Sequence, residues 1–451
     1  MGCPLRIIGK QSGSSLVAAM VFALVMMLSA LALMQVGTTD ANMAQRDIHA
    51  AQAFYLAEAG VERGQTWLAA QTTTPGSRTF PFGVEPDTLA GGTYSVWVQP
   101  DSSSTRPVWT VRSAGALGRH ATTLEVDVTP RWFTDYLYYV NRNVGPGQTP
   151  WFFGGETIDG PLHVNDYIGI WGDPVFTSHI QSSESEFIYG NDGFPIYSSA
   201  ASNPPHDEPT FEQGYSLGLP EIPWIGVTDL NTLRDQAELR VGGNTDIVFG
   251  RTPELIGYVS YSRHGDDDWT DVSLGSFNGI IYANGDVYCN GVVDGQVTLC
   301  SNGLINVVDD LTYYDSDENG PREGCDDMLG LAAASRVNIV DNVPNSNDCV
   351  LHGHILAVNN QGGFVENYAQ GSPRGTLTVY GGMAQDKWGP FGVGYVVDGE
   401  YVPLTGYVRD VHYDSRFSYL LPPGYLNMIT GLGVYTRIAW REVAAPCIES
   451  E

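Results

Sequence analysis

The stretch SGSSLVAAMVFALVMMLSALALMQVGTTD (residues 12–40) decides how the rest of the chain is read. Between residues 16 and 36 it is apolar apart from Ser29 and Gln35. A helix needs about 20 such residues to cross the hydrocarbon layer of a bilayer. Arg6 and Lys10 precede it, and the first acidic residue is Asp40. That asymmetry keeps the N-terminus in the cytoplasm and sends the remainder outward.

The helical signal continues past the apolar run. No proline occurs between residues 14 and 71, and ANMAQRDIHAAQAFYLAEAGVERGQTWLAAQ (residues 41–71) is rich in the helix formers Ala, Gln, Leu and Glu. Ile48, Tyr55, Ala59 and Trp67 predict one buried stripe. Gly37, Gly60 and Gly64 mark points where such a rod bends or melts. TTTPGSRTFPFGVEPD (residues 72–87) ends it. Three alternating segments follow, GTYSVWVQP (92–100), RPVWTVRSAG (106–115) and RHATTLEVDVTP (119–130), and they predict an antiparallel meander.

The 451 residues allow two or three domains beyond the membrane segment. Only 16% are charged, while Gly (53), Pro (26) and Tyr (24) are plentiful, a mixture that favours short strands and tight turns. YIGIWGDPVF (167–176) and TDIVFG (245–250) read as strands, GVTDLNTLRDQAEL (226–239) as a helix capped near Thr228 or Asp229, and SNPPHDEP (202–209) as a loop. From residue 277, FNGIIYANGDVYCNGVVDGQVTLCSNGLINVVDDLTYY restarts an Ile/Val-rich phrase after each Asn-Gly or Asp-Gly corner. Hairpins or the rungs of a parallel β-helix both fit, and the repeated restart favours the rungs. The expected class is therefore α+β: a long membrane-spanning helix on a small antiparallel sheet, then a mainly β ectodomain with a β-helix or β-solenoid in its C-terminal half. The expected borders are 1–13 (leader), 14–71 (helix), 72–130 (sheet), 131–275 (β-rich middle) and 276–451 (β-helix-like).

GSSLVAAMVFALVMMLSALALMQ followed by AFYLAEAGVERG resembles the N-terminus of PilX-kind minor pilins of type IV pilus systems. GLAAASRVNIV, GGMAQ and YDSRFSYLLPPGYL, within 276–442, resemble a C-terminal domain attached to such stems. The resemblance implies that a prepilin peptidase cuts after Gly13, leaving Ser14 as the new N-terminus, and that the freed helix packs among other pilin subunits. It implies residence in a bacterial inner membrane before assembly and at the cell surface afterwards. Ser14 stands where such proteins start with Phe, and Ala18 where major pilins carry Glu, which points to a sparse rather than a repeating subunit. Removal of a signal peptide after Ala30-x-Ala32 is the rival reading. The apolar run exceeds the roughly 7–15 residues of a signal h-region, and that favours retention.

The net charge of −29 repels nucleic acid and attracts cations. In YYDSDENGPREGCDDM (313–328), Asp315, Asp317 and Asn319 alternate before Gly320, with Asp326 twelfth from Asp315. That spacing suits an extracellular calcium loop, calcium being the only cofactor the sequence suggests. HGDDDW (264–269) reads as a solvated acidic loop, and His352 and His354 as ordinary surface or rung histidines, two metal-spaced ligands without a third. Six cysteines occur, five of them beyond the apolar run, where disulfides persist. Connectivity stays open from sequence; Cys325–Cys349 and Cys289–Cys300 are the expected pairs, with Cys447 left over. No nucleophile elbow, zinc-binding helix or phosphate loop is present, so no catalytic residue is assigned. The expectation is a minor pilin or pilin-like protein acting in filament assembly and adhesion, its aromatic surface meeting glycans or a host surface. The alternatives are a tethered binding protein and a carbohydrate-active β-helix enzyme.

Overall fold

Ser14–Ala69 form one continuous α-helix (α1), roughly 84 Å long at about 1.5 Å per residue. The helix does not break at Gly37, where the hydroxyls of Thr38 and Thr39 donate to the Gln35 carbonyl at 3.0 and 2.8 Å. The computed structural model describes residues 14–71, 75–101, 106–142, 149–190, 195–254, 256–397, 400–428 and 435–443. Gly13, Cys3 and Cys447 lie outside them. The chain divides into two units. One comprises the chain up to Pro100, Trp109–Val128 and the stretch from Arg437; the other comprises Asp101–Val108 and Thr129–Thr436.

In the first unit α1 lies on an antiparallel sheet of β1 (Asp87–Leu89), β2 (Gly92–Pro100), β3 (Trp109–Leu117) and β4 (His120–Pro130). Leu89 pairs with Gly92, Val98 with Val111, and Val111 with Val126. The predicted meander is thus present, but the sheet has five strands: Tyr435–Val443 (β5) returns from the far end of the chain to lie beside β4. Arg441 ties it there, reaching Glu125 at 2.8 Å and Asp127 at 2.7 Å.

The buried face of α1 differs from the predicted one. Ile48 and Tyr55 are exposed, whereas Ala53, Leu56, Ala57, Gly60, Val61, Gly64 and Leu68 are buried. Small residues at 53, 57, 60 and 64 follow helical spacing and let the helix backbone approach the strands closely. A Cβ on Gly64 would stand 2.7 Å from Val111 and 2.8 Å from Val96. Gly60 and Gly64 are therefore contact points of the rod, and the helix is unbroken at both.

The second unit is built on parallel pairing. Its longest ladder runs Leu239–Gly242, Ile280–Asn284, Gln296–Ser301, Met328–Ala333, Cys349–Gln361, Pro373–Lys387, Tyr138–Arg142, Leu162–Val164, Ile180–Ser182 and Tyr215–Ser216. A second runs Thr245–Arg251, Val287–Val293, Ile305–Tyr313, Val337–Ile339 and Phe364–Val365. Shorter ones join Trp151–Phe153 to Gly169–Trp171 and Phe187–Tyr189, and Thr157–Ile158 to Val175–Phe176 and Thr210–Phe211. Since Met383 pairs with Tyr138, strands before and after residue 275 share one ladder within the second unit.

Register explains the core. Ile281, Leu299, Leu331, Ile355, Met383, Tyr138, Leu162 and Ile180 occupy successive paired positions and are all buried in one cluster. Each such side chain contributes about 1.5–3 kcal/mol on burial. The opposite face of the same strands, with Cys300, Ala332, Leu356, Ala384 and Tyr139, forms a second cluster under Ile222, Ile225 and helix α2 (Leu230–Gln236). Strands buried on both faces lose the polar alternation that marks a half-exposed strand.

Candidate functional site

The most conspicuous functional surface is the first part of α1. Every large apolar side chain between residues 16 and 36 is 52–73% exposed within the chain. That is far more contiguous apolar surface than a soluble monomer leaves open, and the helix is long and apolar enough to cross a membrane. Ser14, the expected first residue after processing, lies within α1.

The acidic loop carries the four expected calcium ligands, Asp315, Asp317, Asn319 and Asp326. Ser316–Asp317 and Gly320–Pro321 pair as a tight hairpin. Asp317 accepts the Asn319 N–H at 2.9 Å and faces Arg322 at 3.4 Å, while Asp326 is exposed. The buried carboxylate is its neighbour Asp327, which accepts the N–H groups of Gly295 (2.6 Å) and Asp315 (3.0 Å). Burial pushes the Asp327 carboxyl above its usual range. The Asp317 carboxylate is thus engaged by protein partners, and among the described residues no three His, Cys, Asp or Glu side chains converge as a metal set. Gly320 does occupy the sharp turn, at φ +99°, with the Tyr380 ring against it.

The expected disulfides are absent: Cys289, Cys300, Cys325 and Cys349 are buried free thiols. Cys289 lies in the row Ile247–Cys289–Val307, whereas Cys300 belongs to the cluster on the other face of its ladder, so they point into different cores. Cys325 sits 3.7 Å from the Asp327 carboxylate, and Cys349 is paired in register with Leu377. His352 and His354 are also buried rather than superficial. His352 Nδ1 accepts the Tyr313 N–H at 3.0 Å, and His354 Nδ1 is hydrogen-bonded to the Tyr425 hydroxyl at 2.8 Å. In HGDDDW, His264 pairs with Asp246 at 2.7 Å and stacks on Tyr288.

Two clusters in the second unit escaped sequence reading. His412 is clamped between carboxylates, Nδ1 to Asp159 (2.9 Å) and Nε2 to Asp410 (3.0 Å), with Tyr380 stacked on the ring. The hydrogen bond to Asp159 foremost, then the charge of Asp410, raises its pKa. Nearby in sequence, Arg409 reaches back 253 positions to Glu156, Nε to Oε1 at 2.9 Å, within a cleft of about 160 Å³. Trp151, Phe153, Trp388, Phe391, Tyr401 and Tyr407 line that cleft. Partners so remote form no local motif.

No family model matches the chain, and no curated protein matches it either. Among solved structures, the competence-associated pilin ComZ from Thermus thermophilus aligns with 88% of this chain and 97% of its own, at 12% identity and a TM-score of 0.33. At that score the functional reading has to stand on this chain's own helix and sheet.

Proposed function

We propose that this chain is a membrane-anchored, pilin-like subunit of a type IV pilus or related filament, acting in assembly and surface adhesion without turnover. The observation that carries the reading is the division of labour along α1: its first part is apolar and uncovered, and its second part is seated on an antiparallel sheet. A bilayer covers such a surface first, and neighbouring helices cover it in a filament. Small contact residues and an apolar shaft suit both environments. A prepilin peptidase cutting between Gly13 and Ser14, the N-terminus in the cytoplasm, and other pilin subunits as partners complete the proposal. Within it, the parallel ladders support reading the second unit as a β-solenoid inserted between β4 and β5.

The test is to shear filaments from intact cells and probe both fractions for the second unit. Recovery with the sheared filaments supports assembly; complete retention with the cells favours a simple tethered binding protein.

A further inference from the structure

The cleft around Arg409 and Glu156 combines two properties that seldom share one surface. Its walls are aromatic, and two of the rings are fixed in place by glycines. The Trp151 ring lies over Gly169, where a Cβ would approach within 2.6 Å, and the Tyr401 ring lies over Gly394 at the same 2.6 Å. Phe153 and Tyr401 then meet at 5.0 Å between ring centres. Rings held this way present faces without losing rotamer freedom on binding.

Its floor is polar yet electrically balanced. Arg409 donates to Glu156 and to the Trp151 carbonyl, and Glu156 accepts the Phe153 N–H at 2.8 Å. The guanidinium also lies 5.4 Å from the Trp388 ring centre and 5.0 Å from that of Phe152. The aromatic box thus already holds its cation, which disfavours a second one. An anion would meet an arginine whose charge Glu156 offsets, on a chain of net charge −29. What remains is a neutral ligand with apolar C–H faces and several hydroxyls. The faces suit the negative π surface of the rings, and the hydroxyls suit a planar donor beside a carboxylate. A cavity of about 160 Å³ is small beside the roughly 300–1,000 Å³ that enclose a drug-sized ligand. It accommodates one ring of a chain.

We propose that this cleft is a binding site for a neutral saccharide, with Trp151 and Tyr401 as stacking platforms and the Arg409–Glu156 pair as hydroxyl reader. The proposal deepens the adhesive part of the function above, and holds for the second unit whether or not α1 enters a filament.

The test uses the full chain in a sugar-free detergent, titrated with neutral disaccharides built from glucose, galactose, mannose and N-acetylhexosamine while tryptophan fluorescence is followed. A saturable change with at least one sugar is expected, at roughly millimolar Kd. Trp151→Leu and, separately, Tyr401→Ala each weaken it by about tenfold or more, one stacking contact being worth ~1.4 kcal/mol. The melting curves of both variants verify folding, and a variant that fails to fold leaves the other to decide. The sheared-filament assay on Trp151→Leu separates loss of the cleft from loss of assembly. No saturable change with any sugar, unchanged binding in folded variants, or preference for an acidic saccharide or a proline-rich peptide overturns the assignment.

Discussion

Gly115 of β3 lies directly against Ala53 of α1: a Cβ on Gly115 would stand 2.3 Å from the Ala53 carbonyl oxygen and 2.4 Å from the Ala57 nitrogen. Backbone faces backbone there, with no flexible side chain able to yield. Gly115→Ala is therefore expected to destabilise the helix–sheet unit by about 1–3 kcal/mol, the range for overpacking a close contact. Gly37, with nothing within 4 Å of its own Cβ position, is the control. Gly37→Ala should leave the unit unharmed and favour the helix by up to ~1 kcal/mol. Thermal melts followed by circular dichroism distinguish the two; equal melting temperatures would contradict the close contact.

The existence of α1 was legible in the sequence because 58 proline-free positions of strong helix formers leave few alternatives. Its buried face was not, since Ala53, Ala57, Gly60 and Gly64 bury backbone rather than large side chains and so register weakly in a hydrophobic pattern. The meander was legible from alternation, but β5 was not, its neighbour β4 lying some 300 positions earlier. In the second unit the repeated Ile/Val phrases announced strands, whereas the junction of Met383 with Tyr138 reverses chain order and leaves no local trace. The same remoteness hid Glu156–Arg409 and Asp159–His412. Cysteine count and compartment suggested disulfides, but pairing depends on which face each strand turns inward.

The histidines give opposite pH effects. His412 is raised by Asp159 and Asp410, so its folded pKa exceeds the unfolded value near 6.5. Its stabilising contribution is complete below that value and is lost as pH rises through the folded pKa. His412→Gln should remove this alkaline-side loss. Burial instead lowers His352 to about 4 and His354 to about 3. Their neutral forms support the fold above about pH 6.5, and that support falls away as pH drops toward those values. His352→Gln should make the decline between about pH 6.5 and 4 shallower in denaturant melts.

Burial pushes the Cys289, Cys300 and Cys349 thiols up to about 12 and Cys325 to about 11. The thiolate is the reactive form. In the native protein these four should resist a thiol reagent at neutral pH, and all four should react once the chain is unfolded under non-reducing conditions. Four residues still protected after unfolding would establish the disulfides that the folded structure lacks.

The acidic loop provides a test of calcium. With Asp317 engaged by Asn319 and Arg322, and Asp327 by two backbone N–H groups, added calcium or a chelator should leave the melting temperature unchanged. A calcium-dependent rise that Asp317→Ala abolishes would instead establish a site in this loop.

In the proposed function α1 is released at its inner end while it stays lodged in the bilayer, ready to pack with other subunits. N-terminal sequencing of the membrane-extracted mature protein tests this directly. Ser14 is expected as the first residue. A mature chain starting at Leu33 would show the apolar helix cut away, and one starting at Met1 an unprocessed anchor; either result contradicts assembly by this route.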